Sequence, residues 1–294
     1  MPDRLHQPVL AEAVLAYLSP RAGESYLDLT AGYGGHAAQI LQVTGAPKKA
    51  VLIDRDGAAV GYLKEHLKGP TVVQQAFWQA ASGLLQAGQR FDMILADLGA
   101  SSAQLDAPGR GFSFRSQGPL DMRFDTRQAL TASQIVNDWS ADKLADLLAE
   151  QGEEPKARAI ARAIVGLRPV RTTTELAAIV ARFWPRGKKH PATRTFQALR
   201  MAVNAEQQQL TETLPLLPDL LKAGGRLVII SFHSLEDRLA KQFLAEASYG
   251  YEAQLHLLTK KPVQASAAEI AINPRARSAK LRAAAKIKTK ERKS

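Results

Sequence analysis

The sequence predicts an α/β fold: a doubly wound, mostly parallel sheet interrupted by a helical insertion. Three observations predict it. Short continuous apolar runs alternate with helix-length segments through the first third of the chain. The alternation stops between about residues 107 and 204, where only helical patterns follow one another. It resumes after 205 and continues toward the end. Continuous apolar strands separated by helices belong to a parallel sheet covered on both faces. At 294 residues the chain is long enough for one large domain or two ordinary ones, with a sizeable core.

The elements follow in order. Ser25–Thr30 (SYLDLT) is a short apolar run that ends in a Gly-rich loop, and a helix follows over 35–42. Ala50–Asp54 (AVLID) is the second strand, with a helix near 57–68 behind it. Thr71–Gln74 is a weaker strand and Phe91–Asp97 (FDMILAD) a strong one. The insertion reads as helices over 140–151, 154–167, 174–183 and about 194–203. Thr172–Thr174 before Glu175 fits a helix start, because a hydroxyl can cap unpaired backbone N–H groups. The segment 206–222 reads as helical despite Pro215 and Pro218, and Gly224-Gly225 reads as a turn into the strand Arg226–Phe232. Ser234 with Asp237 is a capping-box signal for the next helix. Tyr251–Leu258 and about 279–287 are two closing strands, which makes seven.

Composition narrows the class. Hydrophobic residues are 46% and charged residues 23%, the profile of a globular protein. No run approaches the ~20 apolar residues of a membrane span, and the first ten residues lack a signal-peptide core. With no cysteine, disulfides and thiolate metal sites are excluded. The chain therefore reads as a cytoplasmic protein. Net charge is +11, and 273–294 carries nine Lys/Arg against Glu291 alone. A basic end suits a polyanion such as nucleic acid, since each neutralised phosphate releases counterions; a solvated terminus is the plainer alternative.

Three acids sit at successive strand ends. Asp28 ends the first strand, with Gly32, Gly34 and Gly35 just beyond it, Asp54 ends the second and Asp97 the fourth. Glycines let backbone pass close to a ligand. A carboxylate ending the second strand is placed to accept ribose hydroxyls. NAD brings a pyrophosphate and a G-x-G-x-x-G loop, whereas this loop is G-x-G-G-H with an acid before it. S-adenosylmethionine carries no phosphate and offers an ammonium, so acids beside the loop suit it better. The three acids together favour a methyltransferase over an NAD enzyme.

Longer blocks carry a specific resemblance. They are HQPVL at 6–10, DLTAGYGGH at 28–36, IDRD at 53–56 and DLGASSAQLD at 97–106. They continue with RGFSF at 110–114, GPLDMR at 118–123, HPATRTFQALR at 190–200, IISFHSLEDR at 229–238 and NPRARS at 273–278. In these blocks the chain resembles the bacterial 16S rRNA cytosine-N4 methyltransferase family (RsmH/MraW type). The resemblance implies a seven-stranded Rossmann-like (class I) methyltransferase sheet over 1–106 and 205–294, with 107–204 as an inserted substrate-recognition domain. It implies S-adenosyl-L-methionine as cofactor, held by Gly34, Gly35, His36, Asp54, Phe77, Asp97 and Gln104. It implies as acceptor a cytosine N4 in the decoding region of 16S rRNA, within the small ribosomal subunit. Tyr33 stands where relatives are expected to carry a basic residue.

The chemistry assigns provisional roles. Cytosine N4 is a poor nucleophile because its lone pair is delocalised, so alignment supplies much of the rate. An acceptor for an N4–H would help as charge develops, and Asp97 is the candidate; holding the cofactor only is the competing role. His36 is read as contributing its backbone N–H. Ser234 is read as a helix cap, while His233 could touch the base. Arg182–Arg200 holds six cations without an acid, interleaved with Phe183, Trp184 and Phe196. Basic groups hold phosphates and aromatic faces stack splayed bases, which makes Arg186, Lys188, Lys189 and Arg194 candidate RNA contacts; the rings could equally be helix core. Scattered histidines give no case for a metal. Oligomeric state stays open. The competing functions are an amino-methyltransferase acting on another RNA or DNA, and a non-catalytic RNA-binding assembly factor.

Overall fold

The structure is a computed structural model that describes residues 8–184 and 190–287. The chain divides into two compact units, one running up to Gly99 and again from Gln207, the other Ala100–Glu206.

The first unit is a seven-stranded sheet. Its strands are β1 (Tyr26–Asp28), β2 (Ala50–Asp54), β3 (Thr71–Gln74), β4 (Phe91–Asp97), β5 (Leu221–Ser231), β6 (Leu255–Leu257) and β7 (Lys280–Lys286), in the order β3-β2-β1-β4-β5-β7-β6. Neighbours from β3 to β5 run parallel, and β7 is antiparallel to both β5 and β6. The central parallel strands β1, β2, β4 and the later part of β5 are buried on both faces, edge strand β3 is only partly covered, and separate apolar clusters form on the two sides of the sheet. Leu27, Ile53, Ile94 and Leu227 belong to one cluster, Tyr26, Leu52, Leu95 and Val228 to the other. That is the period of two expected when both faces are covered. Each fully buried Leu or Ile contributes about 1.5–3 kcal/mol. The covering helices include α1 (Ala11–Leu18), α2 (Gly35–Thr44), α3 (Gly57–His66) and α4 (Phe77–Gln86).

Three sequence expectations are corrected. The helix expected to reach Lys222 ends at Leu220, and β5 starts at Leu221. Gly224-Gly225 is an irregularity within that strand, because β4 register jumps from Phe91↔Leu221 to Met93↔Arg226. Gly224 has φ +76°, and a Cβ on Gly225 would meet the Lys222 and Phe91 carbonyl oxygens at 2.9 and 3.1 Å. The glycines thus let the extra residues bulge without breaking pairing. The strand expected from Tyr251 is only Leu255–Leu257, since 248–254 forms turns closed by Gln254 N–H donating to Ala247 O at 2.9 Å.

The second unit is helical, with α5 (Ser102–Asp106), α6 (Ala132–Asp138), α7 (Ala141–Glu150), α8 (Ala157–Gly166), α9 (Thr173–Ala181) and α10 (Thr193–Val203). It starts earlier than the expected residue 107 because α5 belongs to it. The Thr172 cap is present as a capping box with Glu175, and Ser101 and Thr131 make the same device with Gln104 and Gln134. The unit has its own core, in which Leu144, Leu148, Ile160, Ile164, Leu176, Val180 and Leu199 are buried. The irregular stretch between α5 and α6 is held by side chains as firmly as a helix would be. Arg123 forks onto Asp121 at 2.9 and 2.7 Å and donates to the Thr126 and Gln128 carbonyls at 2.9 and 2.7 Å. Asn204 donates to Met122 O at 2.7 Å and accepts from Phe124 N–H at 2.8 Å.

Candidate functional site

Parallel strands of a doubly wound sheet present their C-terminal ends to a ligand crevice where strand order reverses. Here the reversal falls between β1 and β4, and the loop after Asp28 stands on it. The loop is pinned to both neighbouring strands. Ala31 N–H donates to Ile53 O at 2.8 Å, and Gly32 N–H donates to Asp54 Oδ2 at 2.7 Å. On the other side Thr30 Oγ1 accepts from Asp97 N–H at 2.7 Å. Gly34 has φ +81°, and a Cβ there would meet Leu63 and Leu67 methyl carbons at 2.8 and 2.9 Å. Gly34 is therefore demanded by chain direction and by α3 packing. Gly35 and His36 open α2.

Asp28, read as an acid beside the loop, is sealed beneath it at 1% exposure. Its oxygens accept from the Tyr26 hydroxyl at 2.7 Å and Thr30 N–H at 3.1 Å. Burial pushes its carboxyl up to about 6, against the lowering effect of those two hydrogen bonds. Asp28 is thus a brace under the loop. A raised folded-state pKa makes stability highest below the unfolded value near 4 and lowers it as pH rises through about 6. In the cofactor-free protein, Asp28→Asn should flatten that decline, which is of order 3 kcal/mol. Urea unfolding at pH 4.5 and pH 7.5 measures it; an unchanged difference between the two pH values would mean Asp28 titrates normally.

Asp54 holds several backbone N–H groups, among them that of Gly32 through Oδ2 and that of Asp56 through Oδ1 at 2.8 Å. Burial raises its pKa, partly countered by these bonds. Asp97 Oδ1 has no hydrogen-bond partner among the described residues, although it is buried. An acceptor left this way costs about 1–3 kcal/mol. Facing Asp97 is the His36 ring, 8% exposed, with Nε2 3.6 Å from Asp97 Oδ2. That distance is too long for a hydrogen bond. The reading of His36 through its backbone missed this side-chain approach, which only strand order creates. Phe77 starts α4, partly buried against the core. Tyr33 lies against Tyr62 of α3 at 5.3 Å between ring centroids.

The remaining candidates are placed differently. His233 rather than Ser234 is the N-cap of α11 (Ser234–Ala247). Its Nδ1 accepts from Glu236 N–H at 3.4 Å and its Nε2 lies 3.0 Å from Glu236 Oε1. Glu236 in turn accepts from Phe232 N–H at 2.8 Å, so the cap sits one residue earlier than the hydroxyl suggested. Asp237, expected to reciprocate Ser234, instead bonds Lys280 and Arg282 of β7 at 2.9 and 2.7 Å. In the helical unit Gln104 Oε1 accepts from Ser101 N–H at 2.9 Å, and Arg194 is exposed on α10. Phe196 is buried in that unit's core, Phe183 packs against it, and Trp184 lies under Lys156 Nζ at 4.4 Å. Phe196 and Phe183 are thus structural, as the helix-core reading had it, whereas the contact shown for Trp184 is with Lys156. Arg186, Lys188 and Lys189 lie outside the described residues.

The acceptor set fits S-adenosylmethionine, whose ribose hydroxyls need an acceptor of the kind Asp54 offers. With the strand order β3-β2-β1-β4-β5-β7-β6 and its antiparallel β7, this makes the protein a class I S-adenosylmethionine-dependent methyltransferase. Residues 3–287 match the model of the MraW methylase family, and the chain belongs to that family. It is 50% identical to a Cyanothece protein named Ribosomal RNA small subunit methyltransferase H, over 97% of this chain and 96% of the relative. A Thermomicrobium roseum protein of the same name is 47% identical, over 96% of this chain and 94% of the relative. Among the described residues no helix is long and apolar enough to cross a membrane.

Proposed function

We propose that the protein methylates the exocyclic N4 of a cytosine in the decoding region of 16S rRNA, within the small ribosomal subunit. The observation that carries this reading is near full-length similarity to proteins named for small-subunit rRNA methylation. The cytosine and its N4 rest on the resemblance of the sequence blocks to the N4 family.

The cofactor supplies an electrophilic methyl group. In this reading Asp54 holds the ribose hydroxyls, the backbone of Gly34, Gly35 and His36 lines the methionine end, and Phe77 flanks the adenine. The family resemblance adds Gln104 to the set. Asp97 accepts one N4–H of the cytosine, favouring a pyramidal nitrogen as positive charge grows. The target base has to leave its stack to be reached. The helical unit Ala100–Glu206 serves as the recognition module, with Arg194 and the basic run around it on phosphates. Two further readings fit less well. N4-type DNA enzymes carry a Pro-Pro-aromatic motif after the fourth strand, where this chain has Asp97-Leu98-Gly99-Ala100. A non-catalytic assembly factor has no use for an acceptor such as Asp97 Oδ1.

The test is transfer of labelled methyl from S-adenosylmethionine to unmodified small subunits, naked 16S rRNA and duplex DNA in parallel. Label on N4 of one cytosine in small subunits is the expected result. Label in DNA alone would overturn the substrate, and absence of cofactor binding by calorimetry would overturn the enzyme.

A further inference from the structure

Two polar side chains of the sheet unit face each other without being joined. His36 Nε2 is buried and has no hydrogen-bond partner among the described residues, and the same holds for Asp97 Oδ1. The His36 nitrogen lies 3.6 Å from the other Asp97 oxygen, Oδ2. An ordinary N–H···O bond measures about 2.9 Å, so closing the gap takes a movement of only ~0.7 Å. Buried groups left unpaired cost desolvation and return nothing to the fold.

Both groups are held in place by the fold. His36 sits in the first turn of α2, whose Ala37 and Ile40 are fully buried in the core. Ala38 N–H donates to Gly34 O at 2.8 Å, which fixes the start of that helix. Asp97 ends β4, with its N–H bonded to Thr30 Oγ1 and its register set against Ile230 of β5. Asp28 is the other acid in the field of the ring, and its two oxygens already accept from Tyr26 and Thr30. That leaves Asp97 as the carboxylate toward which the ring can act. A residue buried here for packing alone would be apolar, as Ala37 and Ile40 are. An imidazole costs desolvation that only a polar contact offsets.

We infer that the His36 side chain is a positioning residue for methyl transfer: its Nε2–H closes onto Asp97 Oδ2 and turns Oδ1 toward the amine to be methylated. A carboxylate is planar, so fixing one oxygen by a hydrogen bond fixes the direction of the other. A neutral imidazole carries one N–H, and an acid facing Nε2 selects the tautomer with the proton there. Oδ1 is then aimed at the amine before charge develops, and no reorganisation is needed as it grows. Alignment decides the rate, because the amine has to lie opposite the departing sulfur. This role is separate from that of the His36 backbone N–H, which every substitution of the ring leaves in place. It rests on the reading of Asp97 as the acceptor for N4–H.

Two substitutions separate the donor from the volume. His36→Phe keeps an aromatic ring without nitrogens, and His36→Gln keeps an N–H of similar reach. Each is compared with Asp97→Asn and with the double variant His36→Phe, Asp97→Asn. Single-turnover transfer of labelled methyl to unmodified small subunits is measured at saturating S-adenosylmethionine, with calorimetry for cofactor affinity. His36→Phe should be about tenfold slower, with affinity within about threefold of wild type, and His36→Gln should recover to within about threefold of the wild-type rate. The double variant should be no slower than Asp97→Asn alone, because a residue that acts through another adds nothing once that other is gone. A second readout needs neither substrate nor the phenylalanine variant: nitrogen–proton correlation spectra of the histidine rings in the full chain with cofactor. The signal missing from His36→Gln belongs to His36; its Nε2 should carry the proton, and its shift should move in Asp97→Asn. Full speed in His36→Phe overturns the inference, as do a His36→Gln as slow as His36→Phe, losses that multiply in the double variant, or a ring signal that Asp97→Asn leaves unmoved. Failure of the Asp97 reading looks different: Asp97→Asn then transfers at the wild-type rate, and the inference falls with it. If wild type transfers no methyl, the substrate reading is wrong and the ring spectra alone decide the pairing.

Discussion

Asp97→Asn should lower turnover by about 10²-fold while leaving cofactor affinity within a few-fold of wild type. The substitution is nearly isosteric. It leaves the backbone bond from Asp97 N–H to Thr30 Oγ1 intact, so the loop stays pinned to β4. What changes is the group at Oδ1, an acceptor with no partner among the described residues, and the charge opposite His36 Nε2. A neutral amide accepts an N–H less strongly than a carboxylate and cannot offset the positive charge that develops on N4. Single-turnover transfer at saturating cofactor measures the rate, and calorimetry measures affinity. Should affinity collapse while the saturated rate holds, Asp97 is a cofactor ligand and nothing more.

The second large effect concerns the helical unit. Gly111→Ala should destabilise that unit by about 3 kcal/mol or more. Gly111 has φ +74°, and its Cβ would lie 2.1 Å from Pro119 O and 2.9 Å from Asp121 N. Both are backbone atoms, so no rotamer change relieves the contact. The segment that would have to move carries Leu120, Met122 and Phe124 into the core, where Phe124 stacks on Phe112 at 5.3 Å. Urea unfolding monitored by circular dichroism should show an early transition absent from wild type. The sheet unit should still bind S-adenosylmethionine, whereas methyl transfer to RNA is lost. Gly109→Ala is the control, because a Cβ there meets nothing within 4 Å. A Gly111→Ala protein that unfolds like the control would show the close approach to be relieved cheaply.

Much of the sheet was legible because its signals are local. A strand buried on both faces is a continuous apolar run, and AVLID and FDMILAD occur where β2 and β4 are found. Thr172 with Glu175 reads directly as a cap. The His233 cap did not, because histidine seldom caps and its adjacent Ser234 offered the stronger local signal. The Gly224-Gly225 bulge read as a turn, since glycine pairs mark both and only a partner strand tells them apart. The basic end read as eight positive charges awaiting a polyanion, whereas Lys280 and Arg282 are taken by Asp237, over forty residues away.

The sequence by itself determined the class: strand periodicity, a glycine loop between acids and the family blocks are each encoded within a few neighbouring residues. Tertiary structure alone decided what the acids do. Asp28, Asp54 and Asp97 look equivalent at three strand ends, yet Asp28 is sealed under the loop, Asp54 holds its backbone and Asp97 keeps an acceptor without a partner among the described residues. Their environments come from placing β1 between β2 and β4, an arrangement of segments far apart in the chain. The same strand order sets His36 against Asp97. Burial and partnership, which set the charge and hydrogen bonding of a carboxylate, are properties of that arrangement and not of the residue's neighbours in sequence.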